Sequence, residues 1–235
     1  MITFAEPLIG KLVARRKRFF MDVELSHATV VAHIANTGSM LGLLEQGNDI
    51  MLTKHNDPKR SLAYSVQAVK VDSTWVGVNT MLPNRLVKES FNHPVLEFLA
   101  HYGRIQSEVP YGLEKRSRID FLLSESRKNE ADCYLEIKNV TLKIDNKAQF
   151  PDALSVRAQK HIDDLMLMKG QGFKAALIFL VQRTDCERFQ PAHHIDKIYG
   201  QKLREAVKNG LMVKALVAEV SEHGVRLSHE IDCDF

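Results

Sequence analysis

The sequence of 235 residues has no long apolar run, no cysteine pair and no large excess of one charge, and each absence excludes a class of protein. The longest hydrophobic run, 175–181, is strand-sized, whereas a membrane-spanning helix needs roughly 18–20 residues. The three cysteines contain no CxxC pair, so neither a disulfide framework nor a zinc ribbon is expected. Basic residues at 15–18 follow a broken apolar stretch instead of preceding one, which is unlike a secretory signal. We therefore expect a cytoplasmic protein with no membrane partner.

The charge balance limits where a polyanion can bind. Lysine and arginine number 32 against 29 acidic residues, so the formal net charge is only +3 at pH 7. A strongly basic nucleic-acid-binding domain would carry a larger excess, and any basic site must therefore be local. With 45% hydrophobic and 26% charged residues, the composition is that of an ordinary globular protein and excludes general disorder.

Residues 1–82 carry the alternating pattern of β-strands. One apolar stripe comprises Phe19, Met21, Val23 and Leu25, and further short alternating runs are separated by turn-rich segments. Several short strands without a helix among them predict a small barrel of the OB type.

From residue 83 to 235 the spacing of apolar residues is mixed. It predicts a helix over 84–102 that is interrupted near Asn92, then several strands, a second helix over 155–169 and further strands and helix. The predicted fold class is therefore α/β, with an N-terminal all-β, OB-like barrel (1–82) followed by a mixed-sheet α/β domain (83–235).

Two strands of the second domain carry charged residues that point to chemistry. If a polar turn is centred on Lys128, the hairpin register places Asp120 opposite Glu136, about 5 Å apart. Facing carboxylates are destabilising unless a positive group lies between them, and a divalent metal ion is the natural candidate. Asp120, Glu136 and the backbone carbonyl of Ile137 are hard oxygen ligands that suit Mg²⁺ or Mn²⁺. Lys138 would orient a metal-bound water or offset charge during phosphodiester hydrolysis.

The helix over 155–169 offers a further candidate. Gln159 lies three residues from both Val156 and Ile162, so its amide falls on the stripe expected to pack against the sheet, where a catalytic cleft would give it partners. An amide satisfied by a backbone carbonyl is the alternative. The spacing of Glu136 and Lys138 has an alternative interpretation as a solvated strand face, where acidic and basic residues two positions apart are common.

Basic residues gather in three places that suit phosphate binding. The first lies beside Phe19 and Phe20, as on an OB surface that stacks bases and neutralises phosphates. A solvated strand end with core phenylalanines is the alternative there. The candidate DNA-binding residues are Arg15, Arg16, Arg18, Arg116, Arg118, Arg157, Lys160 and His161.

The candidate catalytic residues Asp120, Glu136, Lys138 and Gln159 resemble the core of the PD-(D/E)xK nuclease superfamily. Over nearly its full length the chain also resembles the bacterial sugar fermentation stimulation protein A family. The segments that carry this second resemblance include Asn36-Thr37-Gly38-Ser39-Met40, Ser117-Arg118-Ile119-Asp120-Phe121, Glu136-Ile137-Lys138-Asn139-Val140, Phe150-Pro151-Asp152-Ala153 and Arg157-Ala158-Gln159-Lys160-His161.

The resemblance implies a fold and a partner. It implies an OB-type domain before a restriction-endonuclease-like domain, DNA binding with little sequence preference, and a role in regulating sugar (maltose) metabolism genes. Such nucleases often take a further acidic ligand from an earlier element, for which Glu108 is the first choice and Glu97 the second. A solvated side chain without a ligand role is the alternative for both. A Mg²⁺- or Mn²⁺-dependent nuclease acting on DNA or RNA, and an interaction protein with a vestigial metal site, are the alternatives. A homodimer is compatible with the sequence.

Overall fold

The computed structural model describes residues 1–235 as two β-sheets and three α-helices. A six-stranded sheet forms most of the first third of the chain, and a ten-stranded sheet forms the rest. The first strand, β1 (Ile2–Thr3), pairs with the last strand of the larger sheet, so these two residues belong to the second sheet and not, as predicted, to the barrel. None of the helices combines the length and the apolar character that a membrane crossing requires.

The six-stranded sheet closes into a barrel. Its strands are β2 (Leu8–Arg16), β3 (Phe20–Glu24), β4 (Thr29–His33), β5 (Asp49–Lys54), β6 (Tyr64–Val71) and β7 (Thr74–Gly77). Their order is β4-β3-β2-β5-β6-β7, and a further parallel pairing of β4 with β6 joins the two sides. Strands β2 to β6 thus form a closed ring of five, to which β7 adds a sixth strand at β6. This closure confirms the predicted OB-like barrel.

Alternation along β3 explains much of the barrel core. Met21 and Val23 are fully buried and pack with Leu12 of β2 and Ile50 of β5. Phe19, which the same stripe predicts to be buried, lies in the turn between β2 and β3 and is 44% exposed. The stripe fails there because a turn residue lies outside the ladder, so the alternation of the strand does not extend to it.

The ten-stranded sheet is mixed and carries three helices. The helices are α1 (Leu82–Glu89), α2 (Val156–Gly170) and α3 (Lys197–Lys208). The strands are β8 (Tyr102–Tyr111), β9 (Ser117–Ser126), β10 (Cys133–Val140), β11 (Leu142–Ile144), β12 (Lys147–Phe150), β13 (Lys174–Val181), β14 (Arg188–Pro191), β15 (Met212–Ser221) and β16 (Gly224–Cys233). Their order is β11-β12-β14-β16-β15-β13-β10-β9-β8, with β10, β13 and β15 parallel at the centre and β8 and β9 antiparallel at one edge. This architecture confirms the predicted mixed-sheet α/β domain.

The helix predicted over 84–102 is in fact three elements. Helix α1 ends before the predicted interruption near Asn92, a 3₁₀ helix spans Pro94–Leu99, and β8 begins at Tyr102. Proline restricts the preceding residue to extended conformations, and His93 is accordingly extended, so the helical segment is interrupted here as predicted. Strands β11, β12 and β14 had no counterpart in the prediction, because runs of three or four residues show too little alternation to be recognised.

Both faces of the larger sheet are covered, and each face has its own core. Helices α2 and α3 pack on one face, where Phe179 and Leu203 are fully buried. Helix α1 and the barrel pack on the other face, where Ile178 lies in one cluster with Leu86 of α1 and Met51 of β5. Because this second core includes barrel residues, the two parts of the chain share an apolar interface.

Candidate metal centre

Strands β9 and β10 bring Asp120 and Glu136 to facing positions. The antiparallel ladder has the predicted register and ends at the pair Leu135–Phe121, so Glu136 and Asp120 come directly after its last pair. The backbone N–H of Ile137 donates to Oδ2 of Asp120 at 2.7 Å. The Asp120 carboxylate is therefore held by the backbone of the neighbouring strand.

The side chains of β9 change face immediately before Asp120. Regular alternation would place Ile119 on the same face as Phe121, but Ile119 packs in the core under α2 whereas Phe121 and Leu123 pack in the core shared with the barrel. On the adjacent strand β8, Glu108 adopts a left-handed backbone conformation with φ of 57°. The irregularity therefore lies between Ile119 and Asp120, and Asp120 keeps the alternation set by Phe121 and Leu123.

Burial and charge make the Asp120 carboxyl a weak acid. Its Oδ1 accepts a hydrogen bond from Nδ2 of Asn84 on α1 at 2.7 Å. Burial, followed by the negative charge of Glu136, raises the pKa of Asp120 to about 7, and the hydrogen bonds from Ile137 and Asn84 offset only part of that rise. A cation beside this carboxyl would favour its ionised form.

Glu136 is the buried member of the pair, with 3% of its surface exposed. Its Oε1 accepts a hydrogen bond from Nζ of Lys138 at 2.5 Å and contacts Nδ1 of His161. Burial acts to raise the pKa of Glu136, but the charge of Lys138 and the hydrogen bond to His161 outweigh burial and lower it. Oε2 has no hydrogen-bond partner within the protein, so it is available to a water molecule or a ligand.

Helix α2 brings His161, and not Gln159, to the acidic pair. The helix buries Ala158, His161 and Ile162 against the sheet, whereas Val156 is 68% exposed. The stripe that was expected to contain Val156 and Gln159 is therefore out of phase with the buried face. His161, predicted to bind DNA, lies buried beside the acidic pair instead.

The amide of Gln159 has a different partner. Its Nε2 donates to both carboxylate oxygens of Asp196, at 2.9 and 3.0 Å. Asp196 caps the start of α3 and also accepts from the backbone N–H groups of Tyr199 and Ser155. The prediction that Gln159 belongs to the catalytic cleft is therefore wrong, because its side chain ties α2 to α3.

The acidic pair lies in a cleft of about 220 Å³ that is also lined by Lys138, His161 and Arg157. Nζ of Lys138 is 3.1 Å from Nδ1 of His161, and Nε of Arg157 is 3.4 Å from Nε2 of the same ring. The protein has no group of three or more histidine, cysteine or acidic side chains that could hold a metal ion. A cation in this cleft would therefore depend on two carboxylates and on oxygens from water or substrate.

The two candidates for a third acidic ligand lie outside this cleft. Glu108 is exposed and lines a neighbouring depression of about 230 Å³, which also includes Asp120. Glu97 is exposed in the 3₁₀ helix that follows α1. Glu108 thus shares one wall with the acidic pair, whereas Glu97 shares none.

Several of the predicted phosphate-binding residues are occupied within the protein. The ion pairs are Arg16–Asp22, Arg116–Glu114 and Lys160–Asp164. The guanidinium of Arg15 donates to backbone carbonyls of the loop 36–39. Arg18, Arg118 and Arg157 are exposed and form no ion pair, so these three remain free to contact phosphates.

Comparisons with known proteins agree with the fold. Residues 13–78 match the model of the SfsA N-terminal OB domain, and residues 81–224 match that of the sugar fermentation stimulation protein RE domain. The chain is 42% identical over 236 residues to the sugar fermentation stimulation protein homolog of Crocosphaera subtropica, covering 99% of this chain and 97% of the other. It is 46% identical over 228 residues to the homolog of Geobacter sp. strain M21, covering 96% of each.

A solved structure has a similar fold. It is described as Pyrococcus furiosus SfsA in complex with Ca²⁺, and it superposes with a TM-score of 0.87 at 23% sequence identity. The match covers 100% of this chain and 98% of the other chain.

Proposed function

The chain belongs to the sugar fermentation stimulation protein family, and from that premise we propose that it is a DNA-binding protein that holds a divalent cation, Mg²⁺ or Mn²⁺, at Asp120 and Glu136. The observation that carries the proposal is the buried Oε2 of Glu136, an acceptor without a partner at a position facing a second carboxylate. The Pyrococcus furiosus protein of similar fold, described in complex with Ca²⁺, lends support to a divalent cation as the ligand.

The donor set suits a hard cation. Lys138 and His161 both approach Oε1 of Glu136, which leaves Oε2 for another ligand. Asp120 has a raised pKa that a nearby cation would lower. The backbone carbonyl of Ile137 is a third oxygen on the same strand. Mg²⁺ usually keeps several waters and is held by only one or two carboxylates, so two acidic side chains are enough.

A second candidate function, phosphodiester hydrolysis, is favoured by the position of Lys138. When bound, the cation would polarise a phosphoryl group and acidify a water. Lys138 extends from the same strand as Glu136 into the cleft, where its ammonium is placed to offset negative charge on a phosphate oxygen. His161 contacts both Glu136 and Lys138 and holds the two side chains together.

The DNA-binding part of the proposal rests on cations that no carboxylate neutralises. Arg157 lines the cleft itself, and Arg118 lies two residues before Asp120 on β9. Contacts from such side chains to the phosphate backbone carry little sequence information, which fits binding without strong sequence preference. Regulation of sugar (maltose) genes would follow from DNA binding, and RNA is the alternative partner.

Cation binding is tested by thermal unfolding and calorimetry. A ligand that binds only the folded protein raises Tm with its concentration, so millimolar Mg²⁺ or Mn²⁺ should raise the Tm of the wild-type protein. Asp120→Ala should abolish most of that rise, whereas Asp57→Ala, a change in a loop of the barrel, should leave it intact. Equal rises in both variants would contradict the site.

DNA binding and cleavage are tested separately. A mobility assay at several salt concentrations should show a complex that weakens steeply as salt rises, because phosphate contacts release counterions. Incubation of plasmid, linear and single-stranded DNA with Mn²⁺ then tests for cleavage, with Lys138→Ala as the variant that should remove it. Absence of a complex at low salt rejects DNA binding, and cleavage that survives Lys138→Ala rejects the role of this lysine.

A further inference from the structure

The cleft that holds the acidic pair is one section of a longer groove. A larger cavity of about 570 Å³ lies between the barrel and the second domain, and a cavity of about 310 Å³ separates it from the acidic cleft. The first two cavities share Thr37 and Asp152 among their lining residues, and the second and third share Thr80 and Arg157. The acidic cleft in turn shares Asn84 with the depression on its far side.

We propose that this groove carries one strand of DNA from the barrel to the acidic pair, so that the preferred substrate is single-stranded DNA or a single-stranded tail. The proposal rests on the DNA binding proposed above and adds the path and the strandedness of the substrate. Its starting point is that the barrel and the second domain form opposite walls of the first two cavities, which shared lining residues connect to the acidic cleft.

Cations lie at intervals along the groove. Arg18 lies at the end on the barrel, Arg157 lies beside the acidic pair, and Lys88 of α1 lies beyond it. Arg85 next to Lys88 is paired with Glu89, and two acids, Asp152 and Glu108, also line the path. The acidic pair is therefore flanked by cations on both sides along the path. Phosphates entering from either side would be neutralised before they approach the carboxylates.

The barrel end of the groove also offers apolar surface. Arg18 belongs to the turn between β2 and β3, the first loop of an OB barrel, which is one of the loops through which OB folds contact oligonucleotides. Leu154, which lines the opposite wall, is 68% exposed. Phe19 follows Arg18 in the same turn, outside the residues that line the cavity, and is 44% exposed. Cations next to exposed apolar side chains suit unpaired bases, whose faces are accessible only in a single strand.

The position of Glu136 favours a single strand over a duplex. With only 3% of its surface exposed, Glu136 lies at the floor of the cleft, between Asn84 of α1 and His161 of α2. A phosphate must enter between these walls to reach Glu136. A flexible single strand can bend into the cleft, whereas the complementary strand of a duplex would collide with the walls.

The walls of the groove are held together by direct hydrogen bonds. Oγ of Ser39 on the barrel lies 2.8 Å from the backbone carbonyl oxygen of Asp152 in the second domain and 3.0 Å from its Oδ2, and it can donate to either. The backbone N–H of Met40 donates to the same Oδ2 at 3.1 Å. The apolar core shared between the two domains also fixes the barrel against the second domain. The groove therefore exists before a ligand arrives, which lowers the entropic cost of binding an extended strand.

Fluorescence anisotropy tests the proposal. A labelled 20-nucleotide single strand and a blunt duplex of the same sequence are titrated with the full-length protein in EDTA, which prevents cleavage. We expect the single strand to bind at least tenfold more tightly than the duplex. Thr37→Trp, which fills the passage between the first two cavities, should weaken single-strand binding about tenfold. Thr29→Trp, on the exposed start of β4 and outside the groove, should leave the affinity unchanged.

Charge substitutions give a second readout. Arg18→Gln should reduce the salt dependence of single-strand binding by the equivalent of about one phosphate contact. Arg226→Gln makes the same charge change at an exposed arginine of β16 and should have no effect. Equal affinity for both DNAs, together with no effect of Thr37→Trp, would overturn the path while leaving DNA binding in place. If neither DNA binds at low salt, the proposed function fails as well.

Discussion

The ionised carboxyl group of Asp120, the form that would bind a cation, lowers the stability of the folded protein. Burial and the charge of Glu136 raise its pKa to about 7, whereas an aspartate in an unfolded chain ionises near 4. A group whose pKa is raised by folding costs stability as the pH rises through the window between the two values, here from about 4 to 7. Above pH 7 the full cost is present.

We therefore expect Asp120→Asn to raise the free energy of unfolding at pH 8, without divalent cations, by roughly 1–3 kcal/mol, which corresponds to a few degrees in Tm. Asn84 can turn its amide and keep a hydrogen bond to the new side chain. The increase in the free energy of unfolding should be smaller at pH 5. Thermal unfolding at both pH values measures it, with Asp232→Asn, at a side chain that is 78% exposed, as the control. A Tm at pH 8 that stays the same or falls contradicts this account.

The ion pair between Lys138 and Glu136 also affects the stability of the folded protein. Both side chains are largely buried, so removing the lysine leaves a buried negative charge with one partner fewer. Lys138→Met should lower the free energy of unfolding by about 3 kcal/mol, and the double variant with Glu136→Gln should recover much of that loss. Urea unfolding measures both.

The matched control for that pair is Lys214→Met, since Lys214 forms a more exposed ion pair with Glu230. Exposed pairs contribute little, so this variant should cost less than about 1 kcal/mol. Equal losses for the two lysine variants would show that burial of Glu136 does not govern its dependence on Lys138.

At the scale of elements, Asp196 connects α2 and α3. Its carboxylate accepts from the N–H of Tyr199 in its own helix, and from the N–H of Ser155 and the amide of Gln159 at the start of α2. Burial acts to raise the pKa of Asp196, but the hydrogen bonds, led by the one from Tyr199, outweigh it and lower the pKa. The ionised carboxylate thus stabilises the starts of both helices.

Asp196→Ala should therefore cost about 2 kcal/mol at pH 7, because it removes a helix cap and leaves buried donors without an acceptor. A lowered folded pKa contributes stability that is present above the unfolded pKa near 4 and is lost as the pH falls below it. The difference between wild type and variant, measured by urea unfolding, should therefore shrink as the pH falls below 4. Asp163→Ala, at an exposed pair with Lys202, serves as the control, and an equal loss there contradicts the role of Asp196.

At the scale of the whole molecule, the barrel and the second domain are packed as one unit. The N–H of Gly77 at the end of the barrel donates to the carbonyl of Gln182 at 2.8 Å, and Gln182 is fully buried. A Cβ built on Gly77 would lie 2.5 Å from the side-chain oxygen of Gln182. Together with the shared apolar core, this close approach predicts that the two domains unfold in one cooperative transition.

Differential scanning calorimetry should show a single transition for the wild type, with calorimetric and van't Hoff enthalpies in agreement. Gly77→Ala should lower Tm through overpacking, by the equivalent of about 1–3 kcal/mol. Gly170→Ala, where nothing lies within 4 Å of the added methyl group, should not. Two separate transitions in the wild type would contradict the single unit.

The parts of the molecule that the sequence predicted well depend on local patterns. Alternation around Met21 and Val23 indicates a strand with one buried face, and the strands of this type together predict the barrel. The facing of Asp120 and Glu136 follows from the position of one polar turn, because a hairpin turn fixes the register of both strands.

The parts that could not be predicted depend on contacts between distant segments. The phase of α2, which brings His161 rather than Gln159 to the acidic pair, is set by packing on the sheet and by Asp196 of a later element. Likewise, the spacing of basic residues does not show that Arg16 and Arg116 are neutralised by acids and that Arg157 is not. Residue type suggests a chemistry for the site, but only the fold shows which side chains share the cleft.

The pairing of β1 with β16 has a consequence for the order of assembly. Ile2 and Thr3 are synthesised roughly 220 residues before their partners Val225 and Gly224. The barrel strands are complete at Gly77, so this part of the chain can close early, whereas β1 must wait for roughly 150 further residues, on the order of ten seconds of translation. Until then its edge of the sheet does not exist, and the backbone hydrogen bonds of β1 cannot form.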